Sequence, residues 1–299
     1  NYASIDGFDP QQTPAHWKPE NELDRWILSE LNTLIEQVDR YLDSYDPTNA
    51  GRRLQEFIDQ LSNWYVRRSR RRFWKSENDV DKQSGYVTLH RCLVTVAKLM
   101  APLAPFVSEE IYQNLVCSVD SAAPDSVHLA IFPVADRSLI DQPLNDATQL
   151  AMRIASMGRS ARSKAGLKVR QPLNALRVVV RNDIEESQVR NLSDQLLEEL
   201  NVKHVLPYVT GSSNEVEFWD WNVTANMSLV GPKYGASSQH VVTALADLVP
   251  RDVAMQVSIG QPIGLRRQGD GIPPMQLEPE EGSLTRGPPD GFSVVEAGP

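Results

Sequence analysis

At 299 residues, with 41% apolar and 23% charged side chains, the chain has the length of about two domains and can bury a core without metal or disulfide staples. No apolar run approaches the roughly 18 residues of a bilayer-crossing helix, which excludes a helical membrane protein. The net charge of -9 argues at first against a polyanionic partner, but residues 51–98 carry a net +6 and 151–181 a net +8; such segregation focuses cationic potential locally.

Asn1 opens with neither a methionine nor a signal-like segment, and residues 1–20, beginning Asn1-Tyr2-Ala3, read as a connector from a missing upstream domain. Asn21 is placed to cap a helix with Leu23, Ile27, Leu31, Leu34, Val38 and Leu42 at helical spacing. Asp46-Pro47 opens a second, which carries Leu54, Phe57, Ile58, Leu61 and Tyr65 into an arginine-rich end. Ser76–Gln83 reads as a turn. A third helix follows with Leu89, Leu93, Val96, Ala97 and Met100 inward, and a short fourth from Pro105 with Phe106, Ile111 and Leu115 as its apolar face. Val127–Pro133 reads as a brief extended stretch. From Pro143 a further helix runs to Gly166. Beyond it the texture changes: Leu176–Val180, Val202–Val205, Val216–Trp221 and Val223–Leu229 read as strands, Ser187–Leu200 as a helix, Gly231–Gly235 as a turn, and Ser237 or Ser238 as the start of a helix reaching Leu248.

The expected fold is therefore a mainly α helical bundle over residues 21–168, then a small α/β domain over 169–250 and an incomplete, β-rich or irregular segment over 251–299. Cys92 and Cys117 form no Cys-x-x-Cys pair, which favours a reduced, cytoplasmic compartment, although a disulfide between them stays open. The scattered histidines, with only His90-x-Cys92 close together, give no metal site.

The most informative passage is Gln60–Lys75, where Trp64, Tyr65, Phe73 and Trp74 share a helical segment with Arg67, Arg68, Arg70, Arg71, Arg72 and Lys75. Guanidinium forks fit phosphate and indole faces stack on unpaired bases, so the pairing suits looped RNA. A solvated basic face over ordinary core tryptophans is the competing reading. Apolar neighbours favour a core place for Trp64 and Phe73, whereas Trp74 sits at the patch edge. The second basic island continues past Gly166 as Lys164, Lys168, Arg170 and Gln171; the alternative for Arg170 and Gln171 is a clamp between domains. Glu109 and Glu110 read as charges at a helix start, and Lys233 as a weak lone cation.

Asn63-Trp64-Tyr65-Val66-Arg67, Arg72-Phe73-Trp74 and Met100-Ala101-Pro102-Leu103-Ala104-Pro105-Phe106 resemble the anticodon-binding bundle of isoleucyl-tRNA synthetases. Ala161–Leu173, with Lys168-Val169-Arg170-Gln171-Pro172, is similar to the segment that follows that bundle and separates the family from its valyl, leucyl and methionyl relatives. The likeness covers about residues 1–250. It implies a class I aminoacyl-tRNA synthetase that joins isoleucine to its tRNA using ATP with Mg, on catalytic and editing domains whose motifs this chain does not contain. Catalytic residues are accordingly not expected here, and the partner implied is isoleucine tRNA, with no DNA and no membrane. The tRNA-binding residues expected are Trp64, Arg67, Arg68, Arg70, Arg71, Arg72, Trp74, Lys75, Lys164, Lys168, Arg170 and Gln171. A free-standing RNA-binding module and a helical interaction protein are the readings from other classes.

Overall fold

The computed structural model describes residues 2–14, 17–75, 79–210, 219–265 and 275–287. The chain divides into two units, Asn1–Asp146 and Ala147–Pro299.

The regular elements described in the first unit are all helical. After a short α1 (Tyr2–Ile5), α2 (Glu22–Asp43) forms its axis. Asn21 caps α2 by accepting from the Leu23 amide at 2.9 Å, and Glu22 and Asp24 place negative charge at its positive end. Of the expected apolar stripe Ile27, Leu31, Leu34 and Val38 are buried and Leu23 and Leu42 half-buried, and the opposite side is covered as well. Ser29 and Asn32 are covered because their side chains accept from the Asp141 and Asp136 amides, each at 2.8 Å, tying the returning segment across the helix. The stretch from Val127 is a single 3-10 turn and then unpaired extended chain.

Helix α3 (Pro47–Gln60) starts at Asp46, which accepts from the Asn49 amide, with Pro47 in the first turn as the sequence suggests. Just before it, Tyr45 ends α2 in the left-handed region at φ 58°. A π turn at Leu61–Val66 joins α3 to α4 (Arg67–Lys75). Leu61, Tyr65, Ser69 and Phe73 are all buried at strict four-residue steps, a spacing that would drift about 40° per step around an unbroken α-helix. The wider turn takes up an extra residue and keeps them on one side.

Helix α5 (Asp79–Met100) begins within the region read as a turn. It crosses α4 at Gly85, where a Cβ would lie 2.9 Å from the Phe73 ring, and Phe73 in turn stacks on Tyr86 at 5.3 Å. Helix α6 (Pro105–Tyr112) departs from its expected facing: Phe106 is 89% exposed, while Tyr112 packs with Ala101 and Val127 in a small satellite core. Of the expected stripe Ile111 and Leu115 are half-buried, and Phe106, in the first turn, faces solvent.

In the second unit, α7 (Gln142–Lys164) ends at Gly166, φ 67°, where Gly166 and Leu167 amides donate to the Ser163 and Arg162 carbonyls. Strands β1 (Leu173–Val180) and β2 (Val202–Val209) pair in parallel across a helical crossover. The crossover is broken at Leu192 into α8 (Asp183–Asn191) and α9 (Ser193–Leu200), correcting the single helix read over 187–200. Val189, Leu192, Leu196 and Leu200 are buried, and Gly158 of α7 admits the Leu200 side chain where a Cβ would clash at 2.5 Å.

Strand β3 (Asp220–Ala225) stops earlier than expected, since Asn226 caps α10 (Met227–Tyr234). Gly231-Pro232-Lys233-Tyr234 is thus helical and only Gly235 lies beyond it. Helix α11 (Ser238–Ala246) is followed by α12 (Pro250–Ser258), absent from the sequence reading of 251–299. Strands β4 (Ile263–Leu265), β5 (Met275–Leu277) and β6 (Gly282–Gly287) complete two antiparallel pairs, β3–β6 and β4–β5. Val230, Val241, Leu245, Val253, Ile263, Leu265 and Leu277 form their shared core. The first half of the strand read over 216–221 lies outside the described residues, and its last two residues begin β3.

Candidate nucleic-acid interface

Helix α4 has two unlike faces, and the π turn before it sets which is which. Arg67, Arg70, Arg71 and Trp74 lie at i, i+3, i+4 and i+7 and are all exposed, Trp74 to 65%. This is one continuous outward stripe of three guanidinium groups and an indole. Arg67 also donates through Nε to the Asn63 carbonyl at 2.9 Å, which restrains its stem. Arg68 lies beside the stripe, half-buried, with its guanidinium carbon 5.5 Å from the Trp64 ring centroid.

The inward face holds the other residues read as candidates. Trp64 is 4% exposed and covered by Arg68, so it is a core ring and not a platform for a base in this conformation. Arg72 is likewise taken out of the surface. Its Nη1 and Nη2 donate to the two Asp24 carboxylate oxygens, its Nε to the Asp81 carboxylate and Nη2 to the Asp81 carbonyl, all at 2.7 Å. Tyr65 and Ser84 hydroxyls complete the shell around Asp24 at 2.6 and 3.0 Å. Burial, then the neighbouring Asp24 carboxylate, pushes the Tyr65 phenol well above its usual range, so it remains a donor. The Lys75 side chain lies outside the described residues.

The second island sorts in the same way. Arg159 pairs with Glu199 at 3.1 Å and Arg181 with Glu185, so acids from other elements neutralise part of a run that has none of its own. Arg162 is buried and donates only to backbone carbonyls. Lys164, Lys168, Arg170 and Gln171 are exposed, and their side chains pair with no other described residue. Lys233 is held by Glu281 at 2.7 Å. Sequence reasoning gives Arg162 and Asn201 no role; Asn at the end of α9 is a left-handed cap signal that could have drawn attention to the second.

Among the described residues no three His, Cys, Asp or Glu side chains come together as a metal site, and no helix is long and apolar enough to cross a membrane. Cys92 and Cys117 are free thiols.

The described residues of α4 thus present a cationic, indole-bearing face on a helical bundle. The model of the anticodon-binding domain of tRNA ligase matches residues 24–180, just over half of the sequence, and the chain belongs to that family. The relatives it matches are isoleucine-tRNA ligases. It is 58% identical to that of Dehalococcoides mccartyi strain CBDB1 over 212 residues, 71% of this chain and 21% of the relative. It is 38% identical over 99% of its length to those of Thermus thermophilus and Clostridium acetobutylicum, covering 28% and 27% of them. The chain therefore spans roughly a quarter of the curated relatives it matches.

Proposed function

We propose that this chain is the part of an isoleucine-tRNA ligase that grips the anticodon stem and loop of its tRNA. Amino-acid activation with ATP and Mg, and editing, belong in this reading to the rest of a cytoplasmic enzyme. The observation that carries it is the outward stripe of α4. Arg67, Arg70 and Arg71 share one exposed face on which guanidinium groups can meet backbone phosphates, and Trp74 offers a face to an unpaired base. Arg68 flanks the stripe and Lys75 follows it in the sequence, while Lys164, Lys168 and Arg170 supply a further cationic element and Gln171 an amide able to read a base edge. Trp64 and Arg72 support the stripe from beneath.

Binding of isoleucine tRNA, measured against salt, tests the reading. Each phosphate contact contributes about 0.9 to the logarithmic slope on duplex and about 0.7 on single strands. Replacing Arg67, Arg70 and Arg71 by alanine should lower the slope by roughly two to three units. An unchanged slope would mean that the stripe faces something other than RNA. Valine and leucine tRNAs serve as the comparison for specificity.

A further inference from the structure

Among the described residues, two side chains hold the exposed turn Lys168–Gln171 from behind. Arg162 Nη1 donates to the Lys168 carbonyl at 3.1 Å and the Gln171 carbonyl at 2.9 Å. Asn201 Nδ2 donates to the two between them, Val169 at 3.1 Å and Arg170 at 3.0 Å. All four consecutive carbonyls are thus drawn inward. Arg162 Nη2 also donates to the Leu200 and Asn201 carbonyls at 2.5 and 3.1 Å, binding the turn to the end of α9.

This arrangement is costly to build. Arg162 is 4% exposed and has no carboxylate partner among the described residues, so only carbonyl dipoles offset its charge. Asn201 is held at φ 49°, in the left-handed region that asparagine enters more readily than most residues with a Cβ. Both side chains are satisfied by backbone alone and contribute nothing to the charged surface directly. What they fix is the direction of the turn: with carbonyls inward, the Lys168, Arg170 and Gln171 side chains point to solvent.

We propose that Arg162, acting with Asn201, is a positioning residue for tRNA docking, a buried latch that sets the Lys168–Gln171 turn in its binding geometry before RNA arrives. The inference rests on the function proposed above. Its physical basis is preorganisation, since a turn already ordered loses less conformational freedom on binding.

The test is a double-mutant cycle on the full chain, read as affinity for isoleucine tRNA, with amide hydrogen exchange over 167–171 in parallel. Arg162→Lys keeps the charge but cannot donate to four carbonyls. Asn201→Gly keeps the left-handed backbone and removes two of the bonds, so it carries the test if Arg162→Lys does not fold. Each should speed exchange in the turn and weaken binding about tenfold. In a Lys168→Ala/Arg170→Ala background the same changes should cost little more, because nothing remains to be positioned. Equal losses in both backgrounds would overturn the inference by showing a purely structural role. If the Lys168→Ala/Arg170→Ala pair weakens binding while Asn201→Gly does not, positioning fails and docking stands. If that pair leaves binding unchanged, the turn does not meet RNA and the inference fails, while docking through α4 stands or falls on its own salt slope.

Discussion

Arg72 and Asp24 meet in a two-armed fork, each arm 2.7 Å, with the carboxylate fully buried and the guanidinium side chain 9% exposed. Burial works against the charge on Arg72, but the hydrogen bonds and charge of Asp24, aided by Asp81, outweigh it and raise its pKa. Removing the Asp24 charge takes away the fully buried partner and leaves Arg72 only the part-exposed Asp81 carboxylate. Asp24→Asn should cost about 3–5 kcal/mol in urea unfolding, whereas Arg70→Ala on the outward face should stay within about 0.5 kcal/mol. Comparable small effects at both positions would mean that the fork does not hold α4 in place.

The two tryptophans at the ends of this segment should separate cleanly. Trp64→Ala empties a core position and should destabilise by about 3–5 kcal/mol. Trp74→Ala should leave the melting temperature nearly unchanged and weaken tRNA binding by about 1–3 kcal/mol. Thermal unfolding and tRNA titration of both variants check this, and a reversed pattern would contradict the facing described for α4.

A pH effect follows from Glu109. Gln113 Nε2 and the Ser126 hydroxyl donate to its carboxylate at 2.8 Å and the Val127 amide at 3.0 Å, joining α6 to the turn at 126–127. The Gln113 bond first, then Ser126, holds its pKa below the usual glutamate value. The unfolded chain therefore takes up the proton more readily than the folded one. Its stabilising contribution is full above the unfolded value of about 4.3 and is lost as pH falls through the lower folded value. Unfolding midpoints of wild type and Glu109→Gln, followed from pH 6 to acid, should converge over that window; parallel curves would exclude Glu109 as the cause.

Tyr45 is a site where the protein can be improved. It is 94% exposed and left-handed, a conformation that costs a residue with a Cβ roughly 1–2 kcal/mol and that asparagine tolerates better. Tyr45→Asn should raise stability by up to about 1 kcal/mol, seen as a higher urea midpoint at unchanged slope. A decrease would show that the ring contributes something its exposure hides.

Much of this architecture is legible because local chemistry and tertiary packing agree. Asn21, Asp46-Pro47 and Gly166 mark helix ends in the sequence and do so in the fold. Legibility fails where the decisive partner is distant along the chain. Nothing local to Arg72 announces Asp24, 48 residues away, so a buried ion pair reads as one more surface arginine. Arg162 likewise reads as part of a basic run, while its partners Leu200 and Asn201 lie across the α8–α9 crossover. Charge counting cannot separate arginines that face solvent from those that hold backbone, and the π turn hides the stripe because three- and four-residue spacing assumes a regular helix.

That wider turn makes the compass bearing of the arginine stripe a matter of chain length. Deleting one residue between Leu61 and Val66 would restore an even winding and swing everything downstream by about 100°. Phe73 and Arg72 would leave the interior, and part of the cationic row would be driven into it. Single-residue indels, with no change in charge, are thus the sharpest tool for uncoupling the composition of this helix from the direction in which it presents it.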